Sequence, residues 1–279
     1  MSIGLTDTKL SALDTAAFYK KIAPLFFLRT MPLIAVDIGN SRTKFGIFDG
    51  QEAVFPAAFD DLADILRSKK GPVHWAVART GSEAEQHKIE TFIQRHRPQD
   101  TFKKLTNDDV PLKCNADKPE RVGIDRLLAA LAAVKHVNGG LYRCILIVDA
   151  GSAATIDSVS AGILEGGAIL PGLRTAAKSL LTVSPKLPLV ETFDNAVYPG
   201  KNTATAIRTG LVLQIAGAVC QCYESVSSKR SGSIPLFLTG GDADALYRAV
   251  AEALPETEII VEPNLVLLGI ADSCTTATL

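Results

Sequence analysis

Two stretches of this chain are variants of one another, and that duplication limits the fold more than any other feature. Leu33 to Ile38 and Thr43 to Phe48 read as apolar β-runs joined by a tight Gly39-Asn40-Ser41 turn. Ile147 to Asp157 repeats the apolar run, the aspartate, the glycine two residues on, a small polar residue and a threonine. Asp149 answers Asp37, Gly151 answers Gly39, Ser152 answers Asn40 and Thr155 answers Thr43. Two matching halves predict a duplicated domain with a cleft between the copies, where small molecules tend to bind.

The first turn offers an anion several kinds of partner. Gly39 lets backbone N–H groups come close, Asn40, Ser41 and Thr43 can donate hydrogen bonds, and Lys44 carries a charge. Asp37 would repel a phosphate unless a divalent cation stood between them, so the site makes most sense with Mg²⁺, held directly or through water. With both turns aimed at one ligand, a nucleoside triphosphate gripped from two sides is the natural guess. Taken singly, either hairpin could equally be an ordinary turn whose Gly, Asn and Ser serve only its geometry.

The rest of the chain alternates helix and strand, which predicts an α/β fold with mixed sheets. Asp60 to Ser68 and Glu83 to Arg95 read as helices, and Val73 to Ala78 and Phe102 to Leu105 as strands. Lys118 to Arg126 is a polar loop opening into Leu127 to Val137, so rich in Ala and Leu that a buried helix is expected. That would carry Asp125 and Arg126 inward, although a capping aspartate beside a surface pair would give the same sequence. Asn138-Gly139-Gly140 marks the boundary between a lobe at 31–140 and a second at 141–279. A strand from Ile163 to Leu170, a helix from Leu173 to Leu181 and a long helix from Thr203 to Val226 follow. Pro235 to Leu238 runs into Thr239-Gly240-Gly241-Asp242 and another helix, a connection suited to a nucleoside and equally common as plain α/β architecture.

Net charge is −1, which gives no support to a nucleic-acid binder relying on bulk basicity. Five scattered cysteines, without a CxxC pair or HExxH, read as reduced thiols of a cytoplasmic protein and not as a disulfide frame or zinc site. No apolar run is expected to span a membrane, and residues 1–30 are expected as an N-terminal extension with a helix at Ser11 to Ile22 and no signal peptide.

Laid out in order, these segments resemble type III pantothenate kinases, members of the actin and hexokinase-like superfamily. The similarity runs from Met31 nearly to the C-terminus. It rests on Asp37-Ile38-Gly39-Asn40-Ser41, Gly123-Ile124-Asp125-Arg126, Asp149-Ala150-Gly151-Ser152-Ala153-Ala154-Thr155, Gly166-Gly167-Ala168-Ile169-Leu170-Pro171-Gly172, Gly200-Lys201-Asn202-Thr203 and Thr239-Gly240-Gly241. The resemblance implies an α/β fold of two similar lobes, each an actin or ribonuclease H-like unit of mixed sheet flanked by helices, with the cleft between them. It implies transfer of the ATP γ-phosphate to pantothenate, the first step towards coenzyme A. Asp37, Ile38, Gly39, Asn40, Ser41, Arg42, Thr43 and Lys44 would hold ATP phosphates and Mg²⁺, and Ser152 would touch ATP from the other lobe. Asp125 would be the general base, with Gly123, Ile124, Asp125 and Arg126 lining the pantothenate pocket. Asp149 would bind the K⁺ or NH₄⁺ that the family uses, and Thr203 would hydrogen-bond pantothenate in a site completed across a homodimer.

Three positions depart from the family pattern. Ala116 stands where a tyrosine is usual, Ser152 replaces a threonine, and Ala76 to Thr80 lacks the expected small-residue and proline pattern. Kinases of other small alcohols, or a nucleotide-binding regulator without turnover, could share the frame, since fold does not fix substrate.

Overall fold

The computed structural model describes residues 31–50, 53–137, 144–228, 232 and 234–275. The expected helix at Ser11 to Ile22 and the Asn138-Gly139-Gly140 boundary lie outside the described residues.

The first sheet is built from β1 (Leu33–Ile38), β2 (Thr43–Phe48), β3 (Ala53–Val54), β4 (His74–Arg79) and β5 (Thr101–Lys104), in the order β3-β2-β1-β4-β5. The second contains β6 (Lys113–Cys114), β7 (Cys144–Ala150), β8 (Ala153–Ser160), β9 (Ile163–Pro171), β10 (Leu236–Gly240) and β11 (Ile259–Val261), in the order β11-β10-β7-β8-β9-β6. With β6 set aside, the two orders coincide, β9-β8-β7-β10-β11 repeating β3-β2-β1-β4-β5. In both halves the leading hairpin is antiparallel and the next two strands join in parallel. The duplication expected from two hairpins therefore extends to whole sheets.

Register refines the match between the halves. Asp37 lies opposite Lys44, and Asp149 lies opposite Thr155. The first turn closes with Gly39 N–H on the Arg42 carbonyl, the second with Gly151 N–H on the Ala153 carbonyl, so the first is one residue longer. Thr155 thus takes the place of Lys44 and not of Thr43, because equal spacing along the sequence ignores the difference in turn length.

Side-chain alternation sorts each sheet into two faces. Leu33 and Ala35 of β1 enter a central core, whereas Ile34, Val36 and Ile38 pack outward with Trp75 and Val77. The outer face is covered by α1 (Phe59–Ser68) and α2 (Glu83–His96). Between the sheets lie α3 (Ile124–His136) and α7 (Leu265–Thr275), which pack on each other; α7 also meets β1, β2 and β4, and α3 meets β4, β7 and β8. Their sequences explain the placement, since both are apolar on nearly every face, as a helix enclosed by protein must be. Beyond the second sheet lie α4 (Leu173–Val183), α5 (Thr203–Ser227) and α6 (Ala243–Ala253).

Sequence reading missed β6, too short to show a period, although it adds a parallel edge to β9. The expectation that no segment is long and apolar enough for a membrane is corrected at α5, which meets that test by length and composition. In this fold α5 packs against α4, α6, β7 and β8.

The crossing of α3 and α7 depends on Gly269. A Cβ there would stand 2.1 Å from the Leu128 carbonyl oxygen, so the two helix backbones touch. Gly269→Ala should therefore destabilise the protein by about 2 kcal/mol in urea unfolding through overpacking, although alanine favours an isolated helix by about 1 kcal/mol. A more stable variant would refute the close contact.

Candidate active site

The two hairpin turns meet at a cavity of about 480 Å³ between the sheets. Ser41 and Ser152, one from each turn, are joined Oγ to Oγ at 2.6 Å. Each turn is held from behind by the strand beside it. Thr80 and Gly81 N–H groups donate to the Ile38 carbonyl, and the Asp242 N–H donates to the Ala150 carbonyl. The approach behind the first turn is so close that a Cβ on Gly81 would lie 2.1 Å from the Gly39 oxygen. Both turns are thereby fixed to their sheets, and the lining is preorganised for a ligand.

Four aspartates line this cavity, Asp37 from β1, Asp149 from β7, Asp125 from the first turn of α3 and Asp242 just before α6. Lys44 reaches it from β2 and donates to the Pro263 carbonyl at 2.8 Å, linking the first sheet to the loop before α7. Burial pushes the Asp37 carboxyl up to about 7; Lys44 opposes the shift, and Asp125 and Asp149 add to it. Burial likewise pushes Asp149 up to about 6, against Lys44 and with Asp125. Asp125 is also raised, chiefly by burial, while the Arg126 N–H that its carboxylate accepts at 2.9 Å opposes the rise. Burial lowers Lys44, and Arg42 beside it acts the same way. The site thus holds like charges that need a counter-charge to ionise together.

A divalent cation fits that need. Among the described residues no group of three or more His, Cys, Asp or Glu is placed to hold a metal alone. Mg²⁺ commonly uses one or two protein carboxylates with waters and phosphate oxygens, and Asp37 beside the first turn could serve as one.

Of the residues singled out in sequence, Asp37, Gly39, Asn40, Ser41, Arg42, Lys44, Asp125, Asp149 and Ser152 line one cavity. Ile38, Thr43, Gly123, Ile124, Arg126 and Thr203 are not in its lining. Ile38 has no exposed surface and packs in the outer core, so only its carbonyl serves the turn. Arg126 turns instead to Asp157 on β8, and Thr203 is exposed at the start of α5.

Sequence reading passed over Thr80, Arg174, Thr175 and Lys178, all in the lining. Arg174 and Lys178 are one helical turn apart on α4, and that spacing after Gly172 was the available signal. Arg174 pairs with buried Asp242 at 2.5 Å, and the Thr175 hydroxyl donates to the Ser152 carbonyl at 2.6 Å. Together they add positive charge and a rigid support to the second turn.

Comparison with known proteins identifies the family. The family model for type III pantothenate kinase matches residues 33–225. A type III pantothenate kinase of Rhodopirellula baltica is 38% identical over 175 residues, 60% of each chain. One from Dehalococcoides mccartyi is 30% identical over 266 residues, covering 86% of this chain and 94% of that protein. Among solved structures, a Baf family protein from Campylobacter jejuni superposes with a TM-score of 0.53 at 21% identity, over 88% of this chain and 98% of its own. A pCBH ParM quadruple mutant superposes with a TM-score of 0.52 at 10% identity, over 88% of this chain and 100% of its own. These two likenesses concern the two-lobed fold alone. With a family model covering most of the chain, and relatives aligned along its length, this protein belongs to the type III pantothenate kinase family.

Proposed function

We propose that this protein phosphorylates pantothenate with ATP, giving 4′-phosphopantothenate for coenzyme A synthesis. The observation that carries the reading is the convergence of Asp37, Asp125, Asp149 and the two joined turns on one cavity between the sheets. Phosphoryl transfer is mostly positioning and charge compensation, and this lining supplies the means for both.

In this reading the Gly39 to Lys44 turn and Ser152 cradle the nucleotide phosphates, and entry of a phosphate parts the Ser41–Ser152 contact. Lys44, Arg42, Arg174 and Lys178 offset the charge of the triphosphate. Asp37 would hold Mg²⁺, directly or through water, and the ion would supply charge neutralisation on the phosphates. Asp149 would hold a monovalent cation, K⁺ or NH₄⁺. Asp125 accepts a hydrogen bond from the pantothenate hydroxyl, orients it, and takes its proton late as the bond to phosphorus forms. Burial raises its pKa, which makes its ionised form a stronger base than an exposed aspartate. Gly123, Ile124, Arg126 and Thr203 complete the acceptor pocket, the last across a homodimer. Leu213, 48% exposed on α5, supports that face as the subunit contact. Free thiols at all five cysteines suit a cytoplasmic setting.

Ala116, half-buried just after β6, leaves less side chain at the acceptor pocket than the family's tyrosine, which favours tolerance of other small alcohols as a second reading. An ADP-release assay with Mg²⁺ and ATP separates the two. Pantothenate-dependent release, faster in K⁺ than in Na⁺, is expected; release with other alcohols and none with pantothenate would overturn the reading.

Asp125→Asn should keep the fold by circular dichroism and lower kcat about a hundredfold or more, the usual worth of a positioned base. Substantial turnover by the folded variant would contradict the assignment. The electrostatics also predict a pH effect in the ligand-free protein. Folding raises the Asp37 pKa from 3.8 to about 7, so the folded state keeps a proton that the unfolded state has lost, and stability falls as pH rises through that range. Asp37→Asn, isosteric with the protonated side chain, should therefore melt above the wild type near pH ~8, with the gap narrowing as pH falls and closing only below the unfolded value of 3.8. A gap independent of pH would show that Asp37 is ionised in the free enzyme.

A further inference from the structure

Glu262 follows β11 directly, is only 4% exposed, and lies outside the lining of the cavity. The repeat of the sheets shows that packing does not require an acid there. The Glu262 N–H donates to the Leu238 carbonyl of β10, as the Leu105 N–H donates to the Val77 carbonyl of β4, so the two residues hold equivalent places beyond β11 and β5. Leu105 is equally buried, at 4%, within the central core. A leucine fills the place in one half, whereas a carboxylate taken out of water in the other calls for partners.

Those partners form a chain through one peptide group. Glu262 Oε1 accepts the Asn264 N–H at 2.9 Å, and the carbonyl of that same peptide, on Pro263, accepts from Lys44 Nζ at 2.8 Å. In a trans peptide the N–H and C=O point to opposite sides, so the carboxylate and the ammonium grip the unit from its two ends. Each charge faces the end of the peptide dipole of opposite sign, which strengthens both hydrogen bonds. Burial raises the Glu262 pKa, and the Asn264 N–H and the charge of Lys44 oppose the rise, in keeping with that arrangement. Lys44 comes from β2 of the first sheet, while Glu262 and the peptide belong to the connection between β11 and α7. An ammonium has three donors. The Pro263 carbonyl takes one, and among the described residues no other acceptor takes the remaining two, which are left for the cavity that Lys44 lines.

We propose that Glu262 is a positioning residue for Lys44. By fixing the Pro263–Asn264 peptide, it holds the ammonium from behind, so that two donors meet the phosphates without the lysine having to reorient, as preorganised charge must. The proposal rests on the kinase reading above and adds a support for its cationic side. Glu262 touches neither nucleotide nor acceptor; it acts on Lys44 through a backbone peptide.

The test removes each end of the chain in turn. Glu262→Ala deletes the acceptor of the Asn264 N–H, and Lys44→Met deletes the ammonium. We expect Glu262→Ala to lower kcat/KM for ATP about tenfold, with KM for pantothenate within about twofold of wild type; an unaltered kcat/KM would overturn the proposal. Glu262→Gln, whose amide oxygen still accepts that N–H, should recover most of the loss, and a loss as large as with alanine would overturn the route through the peptide. In a Lys44→Met background, Glu262→Ala should change kcat/KM by no more than about twofold, because its effect runs through the lysine. A full further loss in that background would mean general damage to the fold, and would also overturn the proposal. Should Glu262→Ala fail to fold, amide hydrogen exchange of Asn264 in the ligand-free protein carries the test from the other end. Lys44→Met should speed that exchange about tenfold, and unchanged exchange would overturn the proposal. A wild-type protein without pantothenate-dependent ADP release would sink the kinase reading itself, an outcome separable from the exchange of Asn264, which needs no turnover.

Discussion

The architecture depends on the backbone contact between α3 and α7. Helices this apolar must be enclosed, and two sheets can share them only if the helices cross closely enough for both to be covered. Gly269 against the Leu128 carbonyl allows that approach. Around the crossing, residues from β1, β4, β7, β8 and both helices form a single central core. The sheets are therefore coupled through packing as well as through chain connection, and the cavity above them inherits its dimensions from this core.

The site places charge where burial opposes it. Asp37, Asp125 and Asp149 are all pushed towards their protonated forms by desolvation, with one another's charge adding at Asp37 and Asp149. A protein under selection for stability alone would have little use for this cluster, since each buried carboxylate must be ionised against resistance. It becomes favourable once cations and a polyphosphate enter. Arg126 with Asp157, and Arg174 with Asp242, show the opposite arrangement, each carboxylate buried against a guanidinium.

Much of this was legible in the sequence because the decisive signals were local. Each hairpin carries its apolar run, its aspartate and its glycine within about a dozen residues, and the Ala- and Leu-rich run after Asp125 announces a buried helix. What escaped depended on partners distant in sequence. Lys113 and Cys114 are a strand only because β9 lies beside them. Arg126 looked like the partner of its neighbour, whereas its partner is 31 residues on. Thr155 was matched to Thr43 because counting residues cannot detect that one turn is longer than the other. Arg174 and Lys178 gave only a faint helical spacing, and their part in the cavity follows from where α4 begins.

The short strand β6 has a mechanical corollary. Before the chain reaches Asp125 it has crossed to the second sheet and hydrogen-bonded to β9, and directly after Asp125 it is pinned again through Arg126 to β8. The segment from β6 to the first turn of α3, which bears Asp125, is thus clamped at both ends to the sheet that carries Asp149. Any rotation of one sheet against the other would leave Asp125 stationary relative to Asp149 and displace the turn of Asp37 relative to both. In a closing cleft the acceptor side would be the anvil, and the longer hairpin turn the part that travels.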